Sequence, residues 1–220
     1  MRQRQLLFLS INRIFLLLYA PLSVALGVYY LFTGNLLHAF LSVCTLFWIF
    51  IPYLLRQAAH MRIGQLLLFF YYVFVLFSYS GGIVLSFCAR IPLYDKLIYL
   101  LSGFLLCIFA SLAFCFFMNQ RPKKKNLWFA NLFCFCFSIA AVAVWKLFQA
   151  AVLFLVLHTS PEPFGIVCDL LACLLGAVGY CCLTALYVYK DIHAYPLYAG
   201  EDFAALNIKS TVEVLDSANL

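Results

Sequence analysis

Tyr94-Asp95-Lys96-Leu97-Ile98-Tyr99-Leu100-Leu101-Ser102-Gly103-Phe104 is the stretch on which the reading of this chain depends. An acid and a base open an otherwise apolar segment that runs on to Met118. Asp95 and Tyr99 stand four residues apart, and Ser102, Gly103 and Leu106 continue the same side of a helix. The stretch therefore reads as the mouth of a transmembrane helix that carries the main polar site.

Five comparable apolar runs flank it. The chain has 220 residues, of which 67% are hydrophobic and only 10% charged, with 24 Phe and 14 Tyr. Soluble domains are about a quarter charged. Apolar runs of about 20 residues, separated by the charges, are the mark of membrane helices. The expected fold is all-α: a polytopic membrane protein with a bundle of six transmembrane helices over residues 1–190. Their expected bounds are about 14–32, 36–55, 66–88, 95–118, 127–157 and 165–189. Residues 191–220 are mixed and polar and read as a loosely ordered cytoplasmic tail, with Asp202 to Leu206 suited to a turn of helix at the membrane surface.

The connections follow from local chemistry. Thr33-Gly34-Asn35 is a tight turn, and Pro92 and the Pro161/Pro163 pair mark two more. Ser78-Tyr79-Ser80-Gly81-Gly82 is a polar patch in the third span. The fifth run is long and is interrupted by Trp145-Lys146 and Gln149, which fits a tilt, a kink or a partly re-entrant path. The first run is longer than the apolar part of a signal peptide and lacks a small-x-small site after it, so it reads as a retained helix.

The net charge of +6 resides in the loops. With the N-terminus inside, the inner segments hold Arg2, Arg4, Arg13, Arg56, Arg62, Arg121, Lys123, Lys124, Lys125, Lys190 and Lys209, eleven cations in all. The outer loops hold Arg90 and Lys96. That bias predicts cytoplasmic termini in a cell membrane and gives the basic loops a topological role in place of nucleic-acid binding.

Ten cysteines invite a disulfide or metal reading, but they lie in or beside the apolar runs and none forms a C-x-x-C pair. Cys134 and Cys136, two apart, point to opposite faces of a helix. Cysteine is here a small packing residue. No metal site and no cofactor is expected.

The remaining polar residues converge. In this orientation Asp95 and Tyr99, Lys146 and Gln149, Asp169 and the Ser78–Gly82 patch come to one depth near the outer leaflet. Lys146 lies about 16 Å below its helix end, at about 1.5 Å per residue. Ala143, Lys146 and Ala150 share a face, as do Asp169, Ala172, Cys173, Gly176 and Ala177. Small residues mark close helix contact in membranes, so these charges point into the protein, where they either pair or serve a function. Asp95, Tyr99, Lys146, Gln149 and Asp169 are the candidate ligand-binding residues. The plain alternative is that Lys146 and Asp169 form an ion pair that locks two helices, with Asp95 and Lys96 solvated at the interface. No histidine lies in the cluster, His158 being at a helix end, and no nucleophile–base pair can be named, so no catalytic residue is expected.

The chain resembles the YjdF-like family of bacterial six-helix inner-membrane proteins, and more distantly VanZ-like proteins. The resemblance rests on Arg90-Ile91-Pro92-Leu93-Tyr94-Asp95-Lys96, Leu101-Ser102-Gly103-Phe104, Asp169-Leu170-Leu171, Leu175-Gly176-Ala177, and Trp145 with Phe148. Asp95 and Asp169 match the family's acids. The chain departs where the family has His and this chain has Tyr99, and where the family has acids and this chain has Lys146 and Gln149. The family's pattern implies a metal or proton site; here a lysine beside a matched Asp implies a charge pair in its place. The VanZ-like resemblance implies envelope lipids as ligands. The reading that follows is an envelope-associated protein with an outer-leaflet pocket for a lipid or amphiphile headgroup. The alternatives are a small transporter, for which no inverted repeat is visible, and a structural or partner-binding protein whose charges serve only packing. Membrane lipids are the expected partners, nucleic acid is not, and six helices suit a monomer or a homo-oligomer equally.

Overall fold

The computed structural model describes residues 2–59, 63–118, 124–155 and 163–190, together with Tyr198, Asp202 and Phe203. The basic positions Arg62, Arg121 and Lys123, the turn around His158 and Pro161, and the tail apart from those three residues lie outside the described residues. Asp202 and Phe203 are helical and buried.

Among the described residues every element is helical, and six helices are long and apolar enough to cross a membrane. The protein is an all-α, multi-pass membrane protein. The chain divides into two compact units, one built on Met1–Tyr94 and one on Asp95–Ala204.

In the N-terminal unit, α1 runs from Arg2 to Phe32 and α2 from Leu36 to Ala59. α1 begins a dozen residues before the expected start, because arginine and glutamine are good helix formers and extend the apolar run. Its end is fixed by Gly34, at φ +74°. The Asn35 amide bonds to the Tyr30 carbonyl at 2.9 Å and the Gly34 amide to that of Leu31 at 3.1 Å, the paired bonds of a Schellman ending. Asn35 then caps α2, its Oδ1 accepting the His38 amide at 3.2 Å. One three-residue turn thus closes one helix and opens the next.

α3, Gln65–Val75, has no side-chain cap of its own from Gly64. α1 supplies the partners instead: Gln5 Oε1 accepts the Gln65 amide at 2.9 Å, and Asn12 Nδ2 donates to the Gln65 carbonyl at 2.8 Å. The unit's core joins Tyr19, Ile49, Leu68 and Tyr72, with Phe15 stacked on Tyr72 at 5.6 Å. Beyond Val75 the helix widens into π geometry over Leu76–Val84, and Ser86, two residues on, is left-handed at φ 57°. The expected single span to Cys88 is thus divided, with the short α4, Phe87–Arg90, after the break. Ile91 is extended, as a residue before proline favours.

In the C-terminal unit, α5 continues from Tyr94 to Met118, α6 spans Leu127–Leu155 and α7 spans Pro163–Lys190. α6 is one uninterrupted helix through Trp145, Lys146 and Gln149, about 44 Å long at about 1.5 Å per residue. The re-entrant and broken paths open in the sequence are not taken within it. Cys107, Ile108, Phe114, Cys134, Cys173 and Ala177 form the buried interior. Cys134 is buried and Cys136 exposed, the opposite faces that their spacing requires. None of the ten cysteines is in a disulfide.

Candidate functional site

Two glycines set the geometry of the C-terminal unit. A Cβ on Gly103 of α5 would overlap the Cys173 carbonyl of α7, and a Cβ on Gly176 of α7 would overlap the Leu100 carbonyl of α5. The two backbones are therefore in contact, which only residues without side chains allow. Ser138 of α6 closes the same junction. Its Oγ donates to the Gly103 carbonyl at 3.0 Å and lies 3.7 Å from Cys173 Sγ.

Helical spacing carries this contact to the charged residues. Lys96, Leu100 and Gly103 recur at four and three residues on α5, and Asp169, Cys173 and Gly176 do the same on α7. The register that joins the glycines also brings Lys96 to Asp169. Lys96 Nζ donates to Asp169 Oδ1 and, at 2.9 Å, to Asp95 Oδ2. Lys146 Nζ of α6 reaches the other Asp169 oxygen at 2.5 Å. The same ammonium sits 4.2 Å from the centre of the Tyr99 ring, a cation–π contact. Tyr99 OH donates to Gln149 Oε1 at 3.3 Å.

All five candidate residues read from the sequence thus lie in one network. Burial deepens along it. The Asp95 side chain is 39% exposed and that of Lys96 28%, while Lys146 is at 12% and Asp169 at 7%. One nearly buried carboxylate holds two lysines from two other helices, and Asp95 balances the second cation at the rim. In a medium of low dielectric such charges are costly unless paired and hydrogen-bonded.

Lys96 joins the five candidate residues as a sixth member. Its place at the start of a span points instead to the solvated interface. The usable signal was its spacing to Gly103, seven residues on, which puts both on the face that meets α7. The Ser78–Gly82 patch belongs to the N-terminal unit. Its partners there are Tyr19, whose hydroxyl bonds Ser80, and Tyr94, which packs over Gly81.

The chemistry available is electrostatic. An ammonium has three donors. Lys146 gives one to Asp169 and presents the charge to Tyr99, so donor capacity remains for a further oxygen acceptor. Among the described residues no group of three or more His, Cys, Asp or Glu side chains is placed to hold a metal ion.

Six apolar spans and an ionic cluster among three of them define an integral membrane protein of the multi-pass, all-helical class. Residues 11–191, from the first turns of α1 to just past the end of α7, match the profile of the family described as predicted membrane protein (DUF2238). The chain belongs to that family. No curated protein and no solved structure matches it.

Proposed function

We propose that this chain is an envelope-associated protein of the bacterial plasma membrane that holds the headgroup of a lipid or amphiphile at the Lys96–Asp169–Lys146 cluster. Asp95, Tyr99 and Gln149 complete the site. The observation that carries the reading is the sharing of one buried carboxylate by two lysines. Asp95 pairs with Lys96 at the rim, so the cluster has an acid for each base, but Lys146 spends only one of its three donors, on Asp169. The exposure of Lys96 and Asp95 opens the cluster at one end. An oxyanion of a headgroup is the group such donors take.

The eleven-to-two distribution of Lys and Arg supports cytoplasmic termini, with the start of α5 toward the outer leaflet. The resemblance to YjdF-like and VanZ-like proteins supports the bacterial envelope as the setting. The second reading is a structural one, in which the charges serve only to lock α5, α6 and α7. The backbone contact at Gly103 and Gly176 favours it, since the ion pairs fall on the same α5–α7 register and would reinforce that packing.

Native mass spectrometry of the protein in mild detergent separates the two. The expected result is a defined lipid on the wild type that is lost in Lys146→Met and Asp169→Asn, with monodisperse folded protein in each case. No defined lipid on the wild type, with variants that only melt earlier, would leave the structural reading.

A further inference from the structure

The N-terminal unit contains a cavity of about 240 Å³. Its apolar wall includes Leu22 and Leu26 of α1, Leu76 and Val84 of the π-helical stretch, and Phe87 and Ile91 around α4. π-helical turns are rare and recur at functional sites. This one is held open by its neighbours. The Phe77 carbonyl accepts the Tyr94 hydroxyl at 2.8 Å, and the Val84 carbonyl accepts that of Tyr30 at 3.1 Å.

The cavity wall also carries hydroxyls, and each is engaged elsewhere. Ser23, Ser42 and Thr45 donate to the carbonyl four residues back at 2.9, 2.7 and 3.3 Å. Tyr19 and Ser80 bond each other. With Tyr94 on Phe77, no wall hydroxyl is without a partner. Among the described residues no charged side chain lines the space. A water needs two to four polar partners, whereas an apolar cavity of about 150 Å³ stays dry and takes a ligand such as benzene. This cavity is larger. Its α1, α2 and π-helical walls belong to helices long and apolar enough to cross a membrane, and the medium around such spans is hydrocarbon.

We propose that the cavity is a binding site for one alkyl chain of a membrane lipid, accommodated by the π-helical stretch Leu76–Val84. The inference stands apart from the headgroup site, because none of its lining residues belongs to the ionic cluster. Hydrocarbon is the abundant apolar species beside membrane-spanning helices, and the apolar wall with every hydroxyl engaged suits an alkyl chain.

The test uses the full chain in phosphatidylcholine vesicles doped with phosphatidylcholine bearing a diazirine in one acyl chain. After irradiation, adducts are mapped by peptide mass spectrometry. Adducts are expected on Leu76 and on Val84, which is only 1% exposed. Leu26→Trp, which fills the space, is expected to lower them by about tenfold, as overfilling a packed site weakens occupancy. Leu17 and Leu18, on the outward side of α1, should label equally in both proteins. Leu76→Ala, which enlarges the space, should raise labelling of Val84. Val84 labelling at background, or labelling unmoved by Leu26→Trp, overturns the proposal. Should Leu26→Trp fail to fold, Leu76→Ala decides: no rise at Val84 overturns it.

Discussion

In the N-terminal unit Ser23, Ser42 and Thr45 each donate to a carbonyl one turn back on their own helix. In the C-terminal unit Ser138 donates across to the Gly103 carbonyl of another helix, beside a contact of bare backbones. The first arrangement satisfies a hydroxyl without drawing helices together, and that unit keeps a cavity and a widened helix. The second draws α5, α6 and α7 into contact, and that unit has a buried Asp169 where two lysines meet. Apolar composition is alike in both. What differs is where the buried serine hydroxyls go and where charge lies. Asn12, Tyr19 and Tyr30 bond across elements in the N-terminal unit too. Among the described residues, though, only in the C-terminal unit do buried charges meet, beside bare backbones in contact.

The comparison breaks most visibly at Asp169. Asp169→Leu leaves Lys96 and Lys146 without their shared partner, and removing one side of a buried pair costs about 3–5 kcal/mol. Urea or SDS unfolding in detergent should show that loss. Adding Lys96→Met and Lys146→Met to Asp169→Leu should restore most of it, since apolar residues of similar size replace buried ion groups at little or no cost. A triple variant as unstable as the single one would mean that the cluster is not what makes Asp169 important. The restored triple variant is also the useful control for ligand binding, being folded but without the charges.

That experiment bears on what the sequence could disclose. Lys146 and Asp169 were legible because a charge inside an apolar run demands an explanation. Lys96 was not, because it begins a span, where water would solvate it equally well; only the α5–α7 register buries it. The six spans were legible from length and hydropathy alone. The Thr33–Asn35 turn was legible because Gly34 supplies the left-handed conformation a Schellman ending needs. The π-helical stretch was not. It differs from an α-helix by one residue in the span of each hydrogen bond, and in Leu76–Val84 the polar residues Ser78, Tyr79 and Ser80 are consecutive, so no period can be read from them. The start of α1 was missed for a related reason: arginines mark a loop in a charge count but are good helix formers.

The backbone contact gives a sharper and smaller test on α7. Gly176→Ala puts a Cβ into the Leu100 carbonyl and should cost about 1–3 kcal/mol, the range for overpacking. Gly179→Ala, three residues along the same helix, meets no atom within 4 Å. It should be neutral or stabilising by up to about 1 kcal/mol, the propensity difference between the two residues. Thermal melting of both variants in one detergent provides the comparison. Equal effects would mean that α5 and α7 are not in backbone contact. A loss at Gly176 alone would tie the charge cluster to the glycine register.

The smallest effect compares the two modes of satisfying a hydroxyl directly. Ser138→Ala removes a bond between helices, and such bonds in membrane proteins average about 0.6 kcal/mol. Ser42→Ala, in the N-terminal unit, removes a bond to the His38 carbonyl within α2, where the carbonyl keeps its helical partner. Back-bonding of this kind slightly destabilises a helix, so its loss should cost nothing measurable. The expected order is therefore Ser138→Ala below wild type and Ser42→Ala level with it, in equilibrium unfolding of the full chain. Both side chains are nearly fully buried, at 0% and 1% exposed, so solvent access does not separate them. A larger loss at Ser42 would mean that the N-terminal unit, too, is held by its hydroxyls, and that its cavity persists for a reason other than loose polar bonding. The stated order would instead tie the cost of losing a buried serine hydroxyl to a single feature: whether the acceptor belongs to the donor's own helix.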